Sequence, residues 1–193
     1  MITLLLDSSS HHLSVALAKG DKVLSFVEEK AFQTQSEIMT QRINELLIKE
    51  NISPNDVKRI VVASGPGSFT GVRIAVTIAK VWAYAKKIPL YAVSSLSVYR
   101  HKTNPTICVL DARRERSFAG VYAQNNAILP DKIMQNSEIL ALAKSEGYLI
   151  SGETKHLGVE PAKFNRFENM LKSISEENRV KDIAAFKPLY LKG

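Results

Sequence analysis

Two aspartates, a glycine-rich turn and four histidines are the residues of this sequence whose types and spacing could do chemistry. Asp7 ends the apolar run Ile2 to Leu6, and Asp111 ends the run Ile107 to Leu110. A carboxylate at a strand end suits a hard cation such as magnesium, or it bonds the N–H groups of its own turn. Both readings stand for Asp7, with Ser8 beside it, and for Asp111. Facing one another across a cleft, the pair could hold water or a metal ion.

The glycine-rich turn, Ser64 to Arg73, reads S-G-P-G-S-F-T-G-V-R. Gly65, Gly67 and Gly71 allow positive φ or close backbone approach, and Ser68 or Thr70 can cap a following helix. Such a turn offers free N–H groups and a helix dipole to an anion, or it only docks the helix on a sheet. Two phosphate motifs fail. A Walker loop needs Gly-Lys-Ser/Thr where Gly71-Val72-Arg73 stands, and the dinucleotide fingerprint needs a glycine at Thr70 and an acidic residue near Leu90 to Ser95.

His11, His12, His101 and His156 show no helical metal-ligand spacing, so no metal is expected. Cys108, the only cysteine, lies in an apolar run and reads as a buried thiol; it excludes an internal disulfide and zinc sites built on cysteine pairs. No serine sits in a G-x-S-x-G elbow.

The elements that must position these residues are readable. Strands are expected at Ile2 to Leu6, Leu13 to Ala18 and Lys22 to Glu28, a meander closed by Lys19-Gly20-Asp21. Thr34 and Glu37 fit a capping box for a helix carrying Met39, Ile43, Leu46 and Leu47 to about Glu50. A strand at Arg59 to Ala63 leads into the glycine turn. Ile74, Ile78, Val81 and Ala85 then mark one face of a helix to about Lys87, and a strand follows at Leu90 to Ser94. This first lobe is β-β-β-α-β-α-β, a mixed sheet covered by helices.

Leu110-Asp111, a polar turn and a strand at Ser117 to Ala123 repeat the opening of the chain, which suggests a duplicated lobe. After it are expected a strand at Ala127 to Ile133, a helix begun by Asn136 or Ser137, a strand at Tyr148 to Ser151, a helix over Phe167 to Ile174 and an extended tail. Two lobes follow, 1–103 and a smaller 104–193.

A chain of 193 residues with 45% hydrophobic residues can bury a full core. Its apolar runs fall short of the roughly 18 residues of a membrane span, and it lacks the basic start and cleavage site of a signal peptide, so a soluble cytoplasmic protein is expected. The net charge of +7 and pI near 9.5 permit contact with nucleic acid without demanding it. Arg113, Arg114 and Arg116 are the one dense basic cluster, read as a solvated hairpin tip.

The first lobe, with an aspartate after its first strand and a second hairpin carrying its own, resembles the fold of actin, the sugar kinases and acetate kinase. This is an α/β, actin-like ATPase (ribonuclease H-like) fold with two lobes, the second reduced. Within it, G-P-G-S-F-T-G-V-R at Gly65 to Arg73 resembles the signature of the TsaB (YeaZ) family. Matching positions include Gln35 to Leu47, Ile60 to Ala63, Pro89 to Leu96, Asp111 to Arg113 and Pro188 to Leu191.

The resemblance implies a role in making threonylcarbamoyladenosine at the anticodon-adjacent adenosine of tRNA, as the non-catalytic partner of TsaD. Ser95 and Tyr99 stand where TsaD carries a metal-binding histidine pair. No catalytic residues and no cofactor of its own are therefore expected, with ATP and metal at the partner subunits. The partners implied are TsaD in a heterodimer, a TsaE-type ATPase in a larger complex, a second copy when the chain is alone, and tRNA only indirectly or weakly. TsaB subunits pair through the two helices of the first lobe, which here places the interface at Met39, Arg42, Ile43, Leu46, Ile78, Val81 and Trp82, with Tyr84 on the same mixed faces.

The sequence departs from the family at the first long helix, where Thr34-Gln35-Ser36 replaces the common H-S-Q. The second lobe is short, and Lys155 to Lys181 matches nothing in the pattern. Two other classes compete with this reading. A stand-alone nucleotide-binding phosphotransferase or ATPase would use Asp7, Ser8 to Ser10 and Gly65 to Gly71, against the missing lysine; a metalloprotease lacks paired histidines.

Overall fold

The structure is a computed structural model that describes residues 1–31 and 35–191. Two sheets form its frame. The first, in the order β3-β2-β1-β4-β5, comprises β1 (Ile2–Asp7), β2 (His12–Lys19), β3 (Lys22–Lys30), β4 (Val57–Ala63) and β5 (Leu90–Val93). The hairpin partners run antiparallel to β1, and β4 and β5 run parallel.

Because successive side chains point to opposite faces, the apolar runs of β1, β2 and β4 supply two cores. Leu4, Leu6, Leu13, Val15, Ile60 and Val62 pack under the helices α1 (Gln35–Lys49) and α2 (Phe69–Lys86). Leu5, Ala16, Val61 and Ala63 face the other way, toward the second sheet. A strand buried on both sides must be apolar throughout, which is why these runs were legible.

Thr34, the expected cap of α1, lies outside the described residues. The cap of α2 is Ser68, whose Oγ accepts from Gly71 N at 3.2 Å. Its buried side is made of small residues, Gly71, Ala75, Ala79 and Ala83 with Val72 and Val76, which lets the helix lie close on the sheet. Of the stripe Ile74, Ile78, Val81 and Ala85, the first two are half-buried at the margin of the core and the last two are exposed. α2 is apolar nearly all round, so periodicity alone does not choose its inner face.

The second sheet, in the order β8-β7-β6-β9, repeats the first without its last strand: β6 (Thr106–Arg113), β7 (Arg116–Ala123), β8 (Asn126–Gln135) and β9 (Leu149–Gly152). Between β8 and β9, α3 (Asn136–Glu146) covers one face through Ile139. The other face contributes Cys108 and Leu110 to the core beneath the first sheet. Cys108 is fully buried there, and burial pushes its thiol pKa well up, as befits a packing residue.

The boundary expected at 103/104 falls between β5 and β6, and the last part of 104–193 packs on the first sheet. After β9 the chain returns to the first sheet as α4 (Arg166–Lys172), whose Phe167, Met170 and Leu171 fill the core between the sheets. Arg179 then bridges Tyr91, Val180 N donates to Leu90 O at 2.9 Å, and Leu189 N donates to Ser64 O at 2.7 Å. The segment 155–181, unplaced from sequence, is thus what ties the two sheets together. No helix among the described residues is long and apolar enough to cross a membrane.

Candidate functional site

Asp7, at the end of β1, is 1% exposed. Its Oδ1 accepts Ser9 N at 2.9 Å and Ser9 Oγ at 2.7 Å, and its Oδ2 is paired with the Arg166 guanidinium. Arg166 comes from the first turn of α4 and is itself 7% exposed. It also donates through Nε to Glu28 Oε1 at 2.7 Å and lies over the Tyr99 ring, 4.8 Å from its centroid. Burial opposes the charge of Arg166, but Tyr99, Asp7 and Glu28 outweigh it and hold its pKa above the ordinary arginine value. Burial likewise raises the Tyr99 hydroxyl. The position read as a cation site is therefore filled by a cation from the chain itself.

Asp111 takes the other reading, a carboxylate bonded within its own turn. It is exposed, and its Oδ1 accepts Arg113 N at 2.7 Å. It lines a cleft of about 1350 Å³ with His11, His12, Glu153, His156 and Phe164, while Arg166 forms part of the wall. The structure thus gathers three of the four scattered histidines at one opening, a grouping that their spacing hid. His156 Nε2 lies 2.7 Å from Ser117 Oγ. That hydroxyl donates to Asn136 Oδ1 at 2.8 Å, so the imidazole is its donor, the reverse of a base activating a nucleophile. Among the described residues no group of three His, Cys, Asp or Glu is placed to hold a metal ion.

The glycine turn is stitched inward. Gly65 N donates to Ser95 Oγ at 2.9 Å, Ser68 N to Ser9 O at 2.7 Å, and Ser8 Oγ to Gly71 O at 2.7 Å. Gly65, at φ +112°, leaves room for the tail: a Cβ there would stand 2.2 Å from the Leu189 carbonyl oxygen. At Gly67 a Cβ would stand 2.3 Å from Ser9 O. These contacts make the turn a junction of β1, α2 and the tail, and they engage the N–H groups of Gly65, Ser68 and Gly71 within the chain. Ser95 and Tyr99, at the positions of the histidine pair, serve this junction and the Arg166 cluster.

Of the residues expected to meet a partner, Met39, Ile43 and Leu46 are 0%, 3% and 3% exposed, so they cannot offer a surface. Their spacing in α1 records the face that covers the sheet. Arg42 is half-exposed and held by Glu29 and Glu45 at 2.8 Å each. On α2, Ile78 and Trp82 are half-buried and Val81 is exposed. Tyr84 and Phe69 are also exposed on this helix, and the Phe69 ring packs against Tyr190 of the tail at 4.9 Å, with the Arg73 guanidinium 5.1 Å from its centroid. Thr70, Arg73, Ile74, Thr77 and Ile78 line a small hollow on the same helix. The sequence does not bring Phe69 and Tyr190 together, because their meeting depends on where the tail runs.

The TsaD family, tRNA N6-adenosine threonylcarbamoyltransferase, matches residues 25–184. A tRNA threonylcarbamoyladenosine biosynthesis protein TsaB from Bacillus subtilis (strain 168) is 35% identical over 145 residues, 73% of this chain and 63% of that protein. The match thus spans less than two thirds of that relative. Among solved structures, an uncharacterized protein with similarity to peptidase YEAZ from Pseudomonas aeruginosa superposes with a TM-score of 0.85 at 20% identity, covering 99% of both chains. An activator of 2-hydroxyisocaproyl-CoA dehydratase from Clostridium difficile superposes with a TM-score of 0.52 at 11% identity, covering 90% of this chain and 92% of that one. Both share the two-sheet, actin-like frame.

Proposed function

The chain belongs to the TsaB (YeaZ) family, and from that premise we propose that it serves threonylcarbamoyladenosine formation on tRNA as a non-catalytic subunit, docking a TsaD-type subunit. The observation that carries this reading is the outer face of α2. Val81 and Tyr84 are 65% and 67% exposed on a helix whose inner side is already packed, and Phe69 and Tyr190 extend the apolar strip. An unpartnered strip of large side chains on an ordered helix is the usual anatomy of a subunit contact.

The cleft supports the non-catalytic half of the proposal. A phosphotransferase of this fold class would need a strand-end carboxylate free for a cation, and here Arg166 pairs with Asp7. ATP and metal then belong to the partner subunits, a TsaE-type ATPase among them. In isolation the same α2 face would close a homodimer.

The test is light scattering on size-exclusion eluate of this chain with the TsaD-type subunit of its organism. A one-to-one complex is expected. Val81→Asp and Tyr84→Asp should abolish it while leaving the melting temperature nearly unchanged, because both side chains are exposed. Absence of a complex, or a complex indifferent to both changes, would overturn the proposal.

A further inference from the structure

We propose that the β6–β7 hairpin tip is a direct contact for the phosphate backbone of RNA, made by Arg113, Arg114 and Arg116. The other arginines of the chain are engaged: Arg42 and Arg179 in ion pairs, Arg59 with Thr3, Arg73 over Phe69, Arg100 with Asn125 and Ser173, and Arg166 with Asp7. Arg113, Arg114 and Arg116 make no side-chain hydrogen bond, ion pair or ring contact among the described residues, and the first two are exposed. The Asp111 carboxylate, the nearest acid on the strand, is turned onto Arg113 N and leaves the guanidinium free.

The backbone beneath them is a second observation. Arg113, Arg114 and Glu115 have φ of 65°, 53° and 57°, three successive non-glycine residues in the left-handed region. A two-residue hairpin turn with positive φ at both positions is best served by Asn-Gly. Arg114-Glu115 is a costly choice there, and strained conformations of this kind gather where a side chain is used. The turn is held from outside itself: Asn136 N donates to Glu115 O at 2.9 Å, and Ser117 Oγ meets both Asn136 and His156. His156, which meets Ser117 beside this turn, and Asp111, which precedes it, both line the cleft. Arginine forks match phosphate oxygens, and a strand of RNA presents those oxygens in series. The choice of RNA over another polyanion rests on the family role in tRNA modification, and it replaces the expectation of weak or indirect contact.

The test is fluorescence anisotropy of an unmodified tRNA transcript with the full chain, from roughly 50 to 200 mM salt. Wild type should bind with a salt-dependent affinity. Arg113→Gln with Arg114→Gln should weaken binding about tenfold or more at low salt and flatten the log–log salt slope by about 2. Arg114→Asn with Glu115→Gly should raise the melting temperature by relieving the turn and still weaken RNA binding. No binding by wild type, or binding equal in these variants, overturns the proposal. The TsaD-type subunit is titrated in parallel. A normal protein complex with RNA binding indifferent to the arginines overturns the hairpin contact alone. RNA binding that depends on the arginines without any protein complex upholds the contact and overturns the α2 reading. A protein complex lost in the glutamine variant with RNA binding intact assigns the hairpin to an acidic protein and overturns the RNA contact.

Discussion

At the scale of single residues, the pair Asp7–Arg166 decides what the cleft can do. Both groups are buried, so their attraction offsets a desolvation cost of several kcal/mol per ion. Arg166→Met strips the carboxylate of its counterion and should cost about 3–5 kcal/mol, a large share of the 5–15 kcal/mol typical of a domain. Asp7→Asn leaves Arg166 with Glu28 and two aromatic rings and should cost less. Combining the two should restore part of the loss, because no buried charge is then left without a partner. Urea unfolding of the three variants measures this, and additive losses would show that the pair acts as two independent groups. The pair was invisible in the sequence. Asp7 was legible as a strand-end carboxylate, but its partner lies 159 positions away in a segment with no recognisable pattern.

At the scale of elements, the chain was most legible where a strand is buried on both faces and least where a helix is apolar on both. β1 and β4 read as unbroken apolar runs because helices cover one face and the second sheet the other. α2 misled for the complementary reason. Its inner face is written in small residues, Ile74, Ile78 and Trp82 pack at the core's margin, and Val81 and Tyr84 face outward, so one apolar stripe spans core edge and surface. Met39, Ile43 and Leu46 on α1 erred in the opposite direction. The glycine turn was legible as a sharp turn, but not as the seat of the tail. Gly65→Ala tests that seat. A Cβ would meet the Leu189 carbonyl at 2.2 Å, and alanine at φ +112° costs about 1–3 kcal/mol before any clash. The tail should then be released from Ser64 and cut faster by a protease, and Tyr190 would leave Phe69, weakening the α2 docking face. A tail as resistant as in wild type would mean that Leu189 is held mainly elsewhere.

At the scale of the molecule, a duplicated frame does not make two independent halves. The sheets are joined by a single core in which Leu5, Val61 and Ala63 of one meet Cys108 and Leu110 of the other, with Phe167, Met170 and Leu171 of α4 among them. Ser94 at the end of β5 adds a polar seam, donating to Asp131 of β8 at 2.5 Å, and Tyr122 of β7 donates to the same carboxylate. Exposing one sheet without the other would open this core and strand the Asp7–Arg166 pair, so partial unfolding has no cheap intermediate. The whole chain should therefore melt in one transition, with calorimetric and van't Hoff enthalpies equal. Removing residues 164–193 keeps every strand of both sheets yet takes away α4, Arg166 and the tail. If the sheets were self-sufficient lobes, that shortened chain would still melt cooperatively. With the core shared as it is, the expected outcome is loss of the sharp transition together with loss of the α2 docking face, since the strap that closes the frame also supplies Tyr190 to it.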